Sequence, residues 1–107
     1  MSTDRKSDKF LNALASVWRQ VLVLDAPEVT LGAARYFVRR TPRSKLRQVD
    51  FTFDGQALRG LEQNPRTNSR WAALARKGSR VMQFLRDGRY IAIVVDGKVQ
   101  LYGSNKP

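Results

Sequence analysis

Two stretches of this 107-residue chain are rich in cations and free of acids. Between Glu28 and Asp50 stand Arg35, Arg39, Arg40, Arg43, Lys45 and Arg47. Between Glu62 and Asp87 stand Arg66, Arg70, Arg76, Lys77, Arg80 and Arg86. Twelve of the 20 Lys and Arg residues fall in these two windows. Positive charge packed this densely repels itself, and a bound anion offsets the cost. Arginine in particular forks onto phosphate or carboxylate oxygens. Tyr36 and Phe37 are set among the first group, and Trp71 among the second. Cations interleaved with rings suit single-stranded nucleic acid, whose backbone meets the charge while its bases stack.

The expected contacts follow. Arg35, Arg39, Arg40, Arg43, Lys45 and Arg47 form one phosphate track, and Arg66, Arg70, Arg76, Lys77 and Arg80 form the other. If residues 34–40 are a strand, Tyr36 and Val38 share one face while Arg35, Phe37 and Arg39 share the other. Only Phe37 then joins a basic platform. Trp71 shares helical spacing with Leu74 and Ala75, which favours a place in the core. Engagement of about 6–8 phosphates on a duplex predicts a slope of log affinity against log salt of about −5 to −7. A more ordinary reading stands beside this one: a run of charge is usually a solvated face.

Other chemistry is sparse. The chain has no His and no Cys, which excludes Cys/His zinc sites, disulfides and every Ser-His or Cys-His nucleophile pair. Asp50 and Asp54 both point outward from one predicted strand, but Asp54 already has a role in opening a turn. Ala75–Ser79 lacks the upstream Gly and the Gly-Lys-Ser/Thr order of a phosphate-binding loop. The start of a helix near Thr67–Arg70 offers free N–H groups to an anion, with Arg66 and Arg70 beside them. The expectation is a non-catalytic protein without cofactor or metal.

The formal net charge is +11, and 14 of the 20 cations are Arg. That bias fits forked anion contacts and fits a GC-rich genome equally. With 42% hydrophobic residues the chain can bury one real core, and its length suits a single domain over residues 1–107. No apolar run approaches the ~20 residues of a membrane span. Asp4 and Asp8 spoil a signal-peptide start. A cytoplasmic protein that avoids membranes is expected.

These side chains need elements to position them. Residues 1–6 read as polar and frayed, and Ser7 as the N-cap of an amphipathic helix over about 8–24. Its stripe is Phe10, Leu14, Val17, Val21 and Leu24, widened by Leu11, Trp18 and Leu22. Pro27 ends it. Residues 28–40 admit a short helix or a strand, with strand favoured over 34–40. Residues 47–53 alternate, Asp54-Gly55 turns the chain, and Ala57–Glu62 returns, weakened by Gly60. Thr67 or Ser69 opens a short helix through Lys77, closed by Gly78. Val81–Leu85, Tyr90–Val95 and Val99–Tyr102 form a meander through two more Asp-Gly turns, the middle strand covered on both sides and the last at an edge.

The predicted fold is α+β. An N-terminal amphipathic helix and a short second helix pack on one face of a mostly antiparallel sheet of about five strands, ending in a three-stranded meander. The predicted function is a small basic domain that binds nucleic acid, RNA or DNA, mainly through phosphates and with tolerance of sequence. The alternative is an interaction or assembly module that docks an acidic protein, homo-oligomers included. Geometry separates the two. A nucleic-acid binder brings both basic windows to one continuous face, whereas a docking module rings an apolar patch with arginines.

Overall fold

The computed structural model describes residues 2–102, with side chains from residue 8 onward. A helix α1 (Ser2–Trp18) runs into a single π turn, Arg19–Val23. Then come β1 (Glu28–Leu31), β2 (Ala34–Arg40), β3 (Arg47–Phe53), β4 (Gln56–Glu62), α2 (Arg70–Arg76), β5 (Val81–Arg86), β6 (Arg89–Val95) and β7 (Lys98–Leu101). All neighbouring strands pair antiparallel in chain order, so the sheet is a seven-stranded meander.

The α+β class is as expected, but the sheet has seven strands rather than about five. The extra pairing comes from residues 28–40, which form the β1–β2 hairpin with Val29 opposite Tyr36. Its turn lacks an Asp-Gly pair. Gly32 supplies the positive φ instead, at 58°. At three further hairpins Asp54, Asp87 and Asp96 hold φ of 50–52° ahead of their glycines, the backbone that matches strand twist.

Helix α1 begins at Ser2, so Ser7 lies within it rather than capping it. Nothing between positions 2 and 7 breaks a helix, there being no Gly or Pro. The sheet curls so that β1, β6 and β7 all reach α1. Leu14, Val17, Val21 and Leu22 pack there on Val29, Val49, Phe51, Leu58, Met82, Phe84, Ala92 and Val94. The π turn lets the adjacent Val21 and Leu22 both face inward. The same change of phase turns Leu24 out, 57% exposed, although its spacing predicts a place in the stripe.

Gly60 does more than weaken β4. A side chain there would meet the Phe84 ring at 3.0 Å and the Met82 sulfur at 3.2 Å. Its bare backbone makes room for the largest fully buried side chain.

The two helices do not share a face. In β5, Met82 and Phe84 belong to the core under α1. Gln83, pointing the other way, lines a groove together with Trp71 of α2. With α1 filling the inner face, α2 serves the outer one. Strand β6 is buried at Ala92, Ile93 and Val94 in succession, so it is covered on both sides, and β7 is an edge. No helix among the described residues is long and apolar enough to cross a membrane.

Candidate nucleic-acid interface

The site grows from the β3–β4 hairpin. Its register places Gln48 opposite Leu61, so the chain entering β3 and the chain leaving β4 stand side by side at one end of the sheet. The first carries the 41–46 loop and the second the 63–69 loop. Each comes from a different basic window.

Both loops are tied down. In the first, Thr41 N donates to Leu46 O at 2.8 Å, and Leu46 N donates to Thr41 Oγ1 at 3.0 Å. Arg40 donates to Lys45 O at 3.1 Å, and Lys45 itself sits at φ 57°, an uncommon conformation for a lysine. In the second, Asn64 Oδ1 accepts from Arg66 N at 2.9 Å. Arg76 reaches back from α2 to the Pro65 and Thr67 carbonyls. Ser69 caps α2 by accepting from Ala72 N at 3.1 Å, as the sequence suggests.

Between the loops lies an open cleft of about 640 Å³. Arg40, Arg43, Lys45 and Arg66 line it, and Arg43, Lys45 and Arg66 are exposed with no carboxylate paired to them in the described structure. Its floor is Arg47, which is not free. Arg47 donates through Nε and NH2 to Glu62 at 3.2 Å each, to Asp25 at 2.8 Å and to Val21 O at 2.9 Å. Glu62, then burial acting in the opposite sense, then Asp25 set the balance that holds this guanidinium charged above its ordinary value. Arg47, with Arg40 3.8 Å from Asp25, offsets the two carboxylates in the cleft, and Arg43, Lys45 and Arg66 keep their field.

A second groove of about 610 Å³ adjoins the first, sharing the lining residues Leu46, Glu62 and Asn64 with it. Leu61, Trp71, Tyr90 and Tyr102 give it an apolar and aromatic lining. The Tyr90 and Tyr102 rings stack at 5.6 Å with 26° between planes. The Arg70 guanidinium lies 4.4 Å from the centre of the Trp71 ring, a cation–π contact. A chain of side chains crosses the groove: Tyr102 donates to Gln83, Gln83 to Gln63, and Gln63 to Thr67 at 3.2 Å. Burial pushes the Tyr102 phenol above its usual value, Tyr90 adds to this, and the Trp71 indole opposes it.

The remaining expected contacts divide. Arg35, Phe37 and Arg39 are exposed on the outer face of β2, with Phe37 at 72%, while Tyr36 and Val38 pack on the core. Arg39 is in register with Gln48, which pairs with Leu61, which pairs with Gln83, so one row of the sheet leads from Arg39 into the aromatic groove. Arg76 braces a loop, Lys77 is the C-cap of α2, and Arg80 lies beyond them at the start of β5, exposed. Trp71 lines the groove instead of filling the core, and Ala72 is the buried residue of α2.

Tyr90, Tyr102, Gln63 and Gln83 are absent from the sequence-derived set. The Asp96-Gly97 turn held the signal for the tyrosines. Counting back from it brings Tyr102 beside Ile91, and Tyr102 N does donate to Ile91 O at 2.8 Å. Asp50 and Asp54 form no acid–base pair: Asp50 accepts from Arg59 at 2.7 Å and Asp54 occupies its turn. Among the described residues no group of three or more His, Cys, Asp or Glu could hold a metal. Compared with family models, curated proteins and solved structures, the chain matches none.

Proposed function

We propose that this protein binds nucleic acid through the cleft between the 41–46 and 63–69 loops, mainly by phosphate contacts and with little regard to sequence. One observation carries the reading. Arg40, Arg43 and Lys45 from one acid-free window and Arg66 from the other line a single cleft. Convergence of cations from distant parts of the chain, held by hydrogen-bonded loops, is what a polyanion requires and what a generic solvated surface does not. Arg70 and the outer-face Arg39 extend the positive field from the two ends.

Arg47 contributes structure in this reading, and Arg76, Lys77 and Arg80 serve as a more distant field. With Arg40, Arg43, Lys45, Arg66 and Arg70 engaged, about four or five phosphates are neutralised. On a single strand log affinity then falls against log salt with a slope of about −3. The test is a salt series of anisotropy titrations with labelled single-stranded and duplex oligonucleotides. Binding that is flat across salt, or unchanged when Arg43, Lys45 and Arg66 are all replaced by Ala, ends the proposal.

The acidic-protein reading would use Phe37 between Arg35 and Arg39. On β2 that is a single exposed ring, well short of the contiguous apolar patch such an interface needs, and the aromatic groove has no arginine among its lining residues. The nucleic-acid reading is preferred on that ground.

A further inference from the structure

We infer that the aromatic groove beside the basic cleft receives unpaired nucleobases, so that the ligand is a single strand, RNA or DNA, and not a duplex. The inference rests on the phosphate-binding reading of the cleft and adds a second, chemically different subsite to it.

The cleft and the groove share Leu46, Glu62 and Asn64 as lining residues, so a chain whose phosphates lie along Arg43, Lys45 and Arg66 runs beside the groove. Charge gives the direction. A strand held by its backbone in the cleft turns its other side, the bases, toward the neighbouring surface. That surface is aromatic. Tyr90 is 47% exposed and Tyr102 is 37% exposed, and these two of the five large apolar residues left open on the described surface stack on each other. Half-buried Trp71 stands on the same groove with the Arg70 guanidinium over its ring. Base–aromatic stacking tolerates sequence because every base has a π face, and guanidinium planes stack on bases as well.

The polar lining is consistent with the same ligand. The ordered run from Tyr102 to Gln83 to Gln63 to Thr67 fixes the side-chain amides in one orientation. The groove therefore has settled donors and acceptors around its rings, the setting in which a flat heterocycle can be held by face and by edge. Its volume of about 610 Å³ lies inside the range of ligand pockets. A duplex keeps its bases paired and stacked, and it cannot place one there without paying for disruption.

The experiment compares four labelled ligands of about 12 nucleotides at near-physiological salt: single-stranded RNA, single-stranded DNA, an abasic strand with the same phosphates, and a duplex. Proteins are the wild type, Trp71→Ala and Tyr90→Ala. The expected result is that base-bearing single strands bind roughly ten-fold or more tightly than the abasic strand. Each variant should lose about five-fold or more on the base-bearing strands and keep its affinity for the abasic one. Preference between RNA and DNA identifies the source of the strand, and either preference supports the inference. Tyr90 is an exposed ring, so Tyr90→Ala decides the matter should Trp71→Ala fail to fold. Abasic and base-bearing strands binding alike overturns the groove while leaving the phosphate reading in place. Binding to none of the four overturns the phosphate reading itself.

Discussion

Arg40 and Arg47 stand directly opposite each other on β2 and β3, two like charges in register. Such a pair is unfavourable on its own. Asp25, just beyond the π turn, lies between them, 2.8 Å from Arg47 and 3.8 Å from Arg40. Glu62 then takes the rest of Arg47. The outcome is a division of labour. Arg47, its side chain 18% exposed, holds the end of α1 to the β3–β4 hairpin, while Arg40, at 54%, remains available at the mouth of the cleft.

That division predicts opposite behaviour from two kinds of arginine. Arg47→Met leaves the Glu62 carboxylate with only the backbone N–H of position 47 and the Val21 carbonyl without its guanidinium donor, and lowers stability by about 2–4 kcal/mol. Arg43→Ala and Arg66→Ala change stability by less than about 0.5 kcal/mol. Each should instead flatten the salt slope of nucleic-acid binding by about 0.7 for a single strand. Urea denaturation and the salt series together check both halves. An R47M protein as stable as the wild type would return Arg47 to the free cations.

Lys45 offers a trade between stability and binding. Its backbone holds φ 57° so that Lys45 N can donate to Thr41 O at 3.0 Å. A residue with a Cβ is strained there. Lys45→Gly relieves that strain and stabilises the fold by about 0.5–1 kcal/mol, the gain being reduced by the freer unfolded chain. The same change removes a cation from the cleft and weakens binding. A variant that binds as before, or one that is less stable, contradicts this account of the loop.

How much of this was legible in the sequence depends on whether a turn announced itself. The Asp-Gly pairs located three of the hairpins, and the alternation of Val49, Phe51 and Phe53 located the inner face. The β1–β2 hairpin is not legible because Gly32 with Ala33 is a weak turn signal, and so the single ambiguous window 28–40, read as strand only over 34–40, holds two strands. Convergence of the basic windows could have been read from the Asp54-Gly55 turn. Counting outward from it brings position 47 opposite position 62 and the two loops together. Tyr90 and Tyr102 follow from the Asp96-Gly97 turn by the same count. What no local pattern carried was the side of the sheet on which α2 lies. Trp71, Leu74 and Ala75 look like a core edge, and only occupation of the inner face by α1 leaves Trp71 to the groove.

Gly60 tests how closely that inner face is filled. A methyl group there would meet Phe84 at 3.0 Å, and a branched side chain would press further into Phe84 and Met82, both fully buried. Gly60→Val is expected to cost about 2–3 kcal/mol by overpacking, even though valine suits a strand. Gly60→Val with Phe84→Leu should recover part of the loss, since the smaller side chain vacates the contested space. Additive losses in the double variant would show that the two sites do not share that space.

The Tyr102 phenol gives the groove a pH signature with a definite sign. Burial first, and Tyr90 second, raise its pKa in the folded protein above the ordinary value, against the opposing Trp71 indole. The folded state therefore holds this proton more tightly than the unfolded chain, whose phenol titrates near 10. The stabilisation is fully present below about pH 10 and is lost as pH rises through the higher folded value. Tyr102→Phe lacks the hydroxyl that donates to Gln83, and is less stable by about 1 kcal/mol at neutral pH. The gap between wild type and Y102F stays constant up to roughly pH 9 and narrows above about pH 10 as the wild-type phenol loses its proton. Denaturation at a series of alkaline pH values measures the gap, and the difference in tyrosinate absorbance between the two proteins reports Tyr102 alone. A phenol that ionises below about pH 10 would reverse the sign and show the ring to be more open to water than its place in the groove implies.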